Sequence, residues 1–201
     1  MTTESPLRTR AKRFLKDPKT QRKLLENFGE STAMLLVSTP IMACLEDLCM
    51  SEDVSRNARA LGYATTLGGA WLLELGRQKY RDWKGVSDDT NEIVQHDRDR
   101  RFYGGVQMIT SMVVYGIAGA KSAQEVLVGG VGSTLSEYAT GGIKGRLVDV
   151  FKSCMTGTDH ERVPHWLKER SLASKRAIVV GGLVSSYALM EAAYAVVDMV
   201  K

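Results

Sequence analysis

The chain is poor in the residues that would tie it together chemically. Its three cysteines, Cys44, Cys49 and Cys154, are odd in number and lack a CxxC spacing. That excludes a disulfide framework and a cysteine-based zinc site. Its three histidines include His160 and His165, five apart across Pro164, with no third ligand in sequence. Four prolines and few alternating β-branched runs exclude a protein built of sheets. No apolar stretch with a small-residue cleavage site follows the basic N-terminus, so no cleavable signal peptide is expected. HExxH, GxSxG and a Cys/His dyad are all missing, and neither enzyme chemistry, a metal nor a cofactor is expected. The stretch GGVGST at 129–134 lacks the lysine that a phosphate-binding loop places before Ser133, and no strand precedes it.

What the chain has is glycine inside apolar runs. Val126 to Phe151 carries Gly129, Gly130, Gly132, Gly141, Gly142 and Gly145 around a lone Glu137. Each glycine costs a surface helix about 0.5–1 kcal/mol against alanine. Close packing between helices repays it, because small residues let backbones approach. Four further segments are apolar: residues 31–49, 58–76, 102–120 and 177–200. The third carries no charge across its whole length, long enough for a membrane span. Pro40 lies within the first, where a kink is expected. Lys121 to Glu125 joins segment 102–120 to the Val126–Phe151 stretch so tightly that the two are expected to form an antiparallel hairpin. Ser51 is placed as a helix N-cap with Glu52 and Asp53 in the first turn. Residues 86–101 read as a polar loop with a helical turn or two, and HWLKERSL (165–172) as a short interfacial helix.

Whether this is a bundle in water or in lipid turns on charge placement. Hydrophobic content of 44% and a charged fraction of 25% are ordinary for a soluble protein, and mean hydropathy is -0.15. Yet of 27 Lys and Arg residues, all but Arg56, Arg59, Lys121 and Lys201 lie in residues 1–29, 77–101 and 144–176. If the chain crosses at each apolar segment, those three stretches fall on one side, as short cytoplasmic loops rich in Lys and Arg do. The expected fold class is therefore all-α, an integral membrane helical bundle. It comprises a basic amphipathic N-terminal arm (1–29), a four-helix membrane core (30–155), an interfacial linker (156–176) and a fifth transmembrane helix at 177–201. The N-terminus is expected in the cytoplasm and the C-terminus outside. The arm can lie on an anionic lipid surface; without basic–aromatic interleaving, nucleic acid is not an expected partner. Of the acids, Glu137 is the deepest, whereas Glu46, Asp47, Glu74, Glu125, Glu191 and Asp198 are expected near helix ends within reach of headgroup water.

Several short motifs also recur in a known family. These are Glu30, Ser31, Ala33 and Met34 at the opening; Cys44, Glu46, Met50 and Ser51; Arg59 after Ser55; Tyr80-Arg81-Asp82; and Gly141, Gly145 and Asp149 followed by Lys152. Over about residues 30–155 the chain resembles the bacterial L-alanine exporter family. The resemblance implies an inner-membrane protein of four helices that exports a small neutral amino acid on the proton gradient. The basic arm, the longer polar stretch at 83–101 and the fifth segment depart from that pattern, and Tyr80-Arg81-Asp82 sits several residues late. On this reading Glu46 and Glu137 carry protons. Arg59 holds the substrate carboxylate, and Ser38, Thr39 and Thr65 donate hydrogen bonds. Gly141 and Gly145 serve helix packing, Asp149 pairs with Lys144 or Arg146, and the small core implies a homo-oligomer. A membrane scaffold that recruits a cytoplasmic partner or anionic lipid, and a soluble helical bundle, are the alternatives.

Overall fold

A computed structural model describes residues 17–87 and 89–201. They form six helices and no strand: α1 (Pro18–Cys49), α2 (Glu52–Trp83), α3 (Glu92–Ala118), α4 (Ala123–Thr156), α5 (His165–Lys168) and α6 (Leu172–Val200). The first sixteen residues of the expected arm lie outside the described residues.

Local sequence sets the helix ends. Asp17 caps α1 by accepting from the Thr20 amide at 3.2 Å, with Pro18 in the first turn. Ser51 opens α2 at the expected place, without a side-chain cap bond. Asn91 and Ser122 cap α3 and α4. The α3–α4 turn closes on Gly119 at φ 96°, a left-handed conformation that glycine adopts without a Cβ clash. The expected hairpin is present.

Three boundaries differ from expectation. Residue 29 is no boundary, because α1 runs unbroken from Pro18 through Pro40 to Cys49. The polar stretch at 86–101 is helical from Glu92 onward, its fully buried charge, Asp99, being matched by Arg81 on α2. The last helix begins at Leu172, earlier than the apolar run at 177.

Contacts fix the topology. Ser31 donates to the Thr66 carbonyl at 2.9 Å, while Arg59 pairs with Glu46, so α1 and α2 are antiparallel. Arg81 meets Asp99 on α3, and a Cβ on Gly141 of α4 would lie 2.7 Å from the Arg100 Cα. Thus α1 to α4 form an up-and-down bundle. α6 lies outside it, parallel to α1: Gly182 packs near Thr32 and Phe151, and Lys201 reaches Asp47 at 3.1 Å.

The bundle buries charged side chains beside its apolar core and exposes large apolar ones. Arg77 and Asp99 are 1% and 0% exposed, and Glu46, Glu137, Lys144 and Asp149 are also buried. Ile109, Ile117, Leu135 and Val184 face outward at 71%, 68%, 65% and 66%. A buried charge and an exposed apolar patch are the two informative departures from the usual distribution. α1 and α6 are each long and apolar enough to cross a membrane.

Candidate functional site

Between α1, α2, α3 and α4 lies an elongated cavity of about 430 Å³. Three helical faces build its walls. Tyr103, Gln107, Ser111 and Tyr115 recur every fourth residue along α3, which keeps them on one side. Arg59, Gly62, Thr66, Gly69 and Leu73 follow three- and four-residue steps along α2, and Ser38, Thr39 and Met42 come from α1. At 1.5 Å per residue, roughly 18 Å of α3 separates Tyr103 from Tyr115. α4 contributes Glu137 and Lys144.

Each end of the cavity is ionic. At one end Arg59 clasps Glu46 with two nitrogens, Nε lying 2.6 Å from Oε2. The Tyr115 hydroxyl donates to Glu46 Oε1 and meets Ser133 Oγ at 2.8 Å. The Tyr115 ring requires Gly129 opposite it, where a Cβ would come within 2.7 Å of Cε2. Towards the other end Lys144 Nζ pairs with Glu137 Oε2 and lies 5.2 Å from the Tyr103 ring centroid. Two donors on the wall are unsatisfied: Ser38 Oγ and the Tyr103 hydroxyl are buried without a hydrogen-bond partner. Such orphans are rare in folded chains and need an explanation.

Beyond Tyr103 lies a buried charge network. Arg77 binds Glu74 at 2.6 Å, Asp99 at 3.1 Å and Asp149 at 2.5 Å. Arg81 also takes Asp99, at 2.5 Å, and Arg162 takes Asp149 at 2.7 Å. Burial pushes the Asp149 carboxyl up, but Arg77, Arg81 and Arg162 outweigh it and hold it below the usual carboxylate range. A second, polar cavity of about 460 Å³ borders this network and is lined by Arg22, Arg81, Lys152 and His160 among others. Its walls come from all three of the Lys- and Arg-rich stretches, so these meet at one end of the bundle.

The structure brings Ser38, Thr39, Thr65, Arg59 and Glu137 to one cavity. Glu46 joins them through Arg59, so two residues expected to act separately form one ion pair. Thr65 lies at the exposed rim and donates back to the Leu61 carbonyl at 2.8 Å. Two expectations are corrected. Asp149 pairs with Arg77 and Arg162, because Lys144 turns to Glu137 and Arg146 to Glu92 at 3.3 Å. Glu46, Asp47 and Glu74 are interior residues held by Arg59, Lys201 and Arg77. Gly141 and Gly145 do provide a close contact, against the Arg100 backbone and Asp99 Oδ2. Tyr103, Tyr115, Ser133 and Lys144 carry geometry that motif reading missed; the four-residue polar period from Tyr103 to Tyr115 was the available signal. Among the described residues no His, Cys, Asp and Glu cluster could hold a metal ion.

Comparison of the chain with protein-family models, with curated proteins and with solved structures gave no match.

Proposed function

We propose that the chain is a multi-pass membrane protein that exports a small neutral amino acid, coupled to protons. The observation that carries this reading is the set of buried ion pairs around a cavity, within helices that expose large apolar side chains. Charges within lipid normally face the bundle or a water-filled path. The cavity falls within the range that small ligands occupy, and its polar groups fit a zwitterion. Arg59–Glu46 and Lys144–Glu137 each offer one cation and one carboxylate. A carboxylate that exchanges its cation for a proton couples proton flux to occupancy. L-alanine is the substrate suggested by the short motifs. The basic end faces the cytoplasm, and a homo-oligomer belongs to the same proposal.

The test is efflux of labelled L-alanine from proteoliposomes containing the full chain, with and without a pH gradient. Gradient-driven efflux from vesicles that carry the protein is the expected result. Efflux unchanged in both Glu46→Gln and Glu137→Gln would remove proton coupling. No efflux of any neutral amino acid would favour the membrane scaffold, and a monodisperse detergent-free preparation would establish a soluble bundle.

A further inference from the structure

We propose that the second, polar cavity is the cytoplasmic entrance to the first, and that the Arg77–Asp149 pair is the gate between them. The proposal rests on the transport reading and gives its path a closing point at the basic end.

The two cavities follow one another along the bundle. On α2, Leu73 lines the first, and Glu74, Arg77 and Arg81 line the second. On α4, Lys144 lines the first and Asp149 the second, roughly 7.5 Å further along the helix. Tyr103, at the end of the first cavity, has Arg77, Glu74, Asp99 and Asp149 as its charged surroundings. One layer of buried charge therefore separates the two spaces.

Within that layer a bridge crosses the interior. α1 and α3 each pack against both α2 and α4, so α2 and α4 stand diagonally opposite in the bundle. Arg77 Nη2 nonetheless reaches Asp149 Oδ1 at 2.5 Å, and its Nη1 lies 3.4 Å from the Gly145 carbonyl oxygen. Side chains that meet across the diagonal close the space between the four helices.

The bridge can open without leaving a charge alone. Breaking a buried pair is costly when one partner is left uncompensated. Here Arg77 keeps Glu74 on its own helix at 2.6 Å and Asp99 at 3.1 Å. Asp149 keeps Arg162, from the connection between α4 and α5, at 2.7 Å. Asp99 keeps Arg81 at 2.7 Å. Arg77, Arg81 and Arg162 face Glu74, Asp99 and Asp149, so the layer is neutral whether the bridge is made or broken. Two discrete arrangements of one packed element are what a switching contact requires. The entrance itself carries both signs, Arg22 and Lys152 with Glu26 and Asp82, which suits a zwitterion.

The test is labelling of the full chain by a membrane-impermeant methanethiosulfonate, applied to the cytoplasmic face of inside-out vesicles. Cys44, Cys49 and Cys154 are first replaced by alanine. Ser111→Cys then puts a reporter thiol in the first cavity, and Gln78→Cys puts one in the second. With the bridge intact, position 78 should react fast and position 111 slowly. Asp149→Ala/Arg162→Gln deletes the bridge and leaves Arg77 and Arg81 facing Glu74 and Asp99. It should speed labelling at 111 by about tenfold, the equivalent of one charged hydrogen bond, and leave labelling at 78 unchanged. Should that variant fail to fold, Arg77→Lys, which lacks the fork that joins three carboxylates, should give the same gain. Cys154, buried in the apolar core, controls for a loosened fold. Kept as the one thiol, it should stay unreactive in the bridge variant, and reaction there as fast as at 111 overturns the gate. Equal rates at 111 with and without the bridge also overturn it, and a thiol at 78 that the reagent does not reach overturns the entrance. Alanine efflux on the same variants separates the two ideas: flux with bridge-independent labelling sinks the gate only, and bridge-dependent labelling without flux of any neutral amino acid sinks the transport reading only.

Discussion

Arg59 and Glu46 show what an ion pair means at residue scale in this interior. Breaking a buried pair by removing one partner is strongly destabilising, by about 3–5 kcal/mol, because the other charge stays buried and uncompensated. Arg59→Met should therefore lower the thermal unfolding temperature of detergent-purified protein sharply. Arg59→Met/Glu46→Gln should recover most of that loss, since neither charge remains. A double variant no more stable than the single one would show that Arg59 acts through shape, not charge. Asp149 gives a pH prediction with a definite sign. Its folded pKa is depressed by Arg77, Arg81 and Arg162, despite burial. The stability it contributes is complete above its unfolded pKa of about 3.9 and is lost as pH falls through the lower folded value. Unfolding measured against pH should show wild type weakening below about pH 4, and Asp149→Asn should lack that part of the slope.

At the scale of helices, the glycines divide into two kinds that sequence does not separate. A Cβ at Gly141 would lie 2.7 Å from the Arg100 Cα, so backbone would have to move. Gly132 has nothing within 4 Å of the same atom. Gly141→Ala should destabilise the protein by about 1–3 kcal/mol through overpacking. Gly132→Ala should stabilise it by about 0.5–1 kcal/mol through helix propensity. Paired thermal unfolding of the two variants checks this, and equal effects would contradict the close α3–α4 approach. The same contrast shows where sequence was informative. Ser51 and the short connection from Lys121 to Glu125 are local signals, and the start of α2 and the hairpin followed from them. The helix over Glu92–Arg101 was not legible, because Asp99 is tolerated inside only through Arg77 and Arg81 on another helix. Gathering Ser38, Thr39, Arg59 and Glu137 was foreseeable as polar residues in apolar segments. Their pairing was not, since the partner of each charge depends on helix rotation.

For the whole molecule, the decisive property is what its outer surface meets. Val184 on α6 and Leu135 on α4 are exposed apolar residues, Val184 within the uncharged run 177–190 and Leu135 two residues before Glu137. In water such a residue is free to become lysine, and solubility would improve. In lipid, a lysine near the centre of a helix opposes insertion by about 2.5–3.5 kcal/mol. Val184→Lys and Leu135→Lys should therefore reduce the carbonate-resistant membrane fraction of the expressed protein. Lys-for-Trp at Trp83 is the control, because Trp83 lies outside the proposed crossings, next to Lys84, and should tolerate the change. α6 should respond most strongly: it lies outside the four-helix bundle and is long and apolar enough to cross a membrane, whereas α4 is held by α1 and α3. If instead Val184→Lys and Leu135→Lys raise the yield of monodisperse protein without detergent, the apolar exterior is not a lipid face and the membrane assignment fails with it.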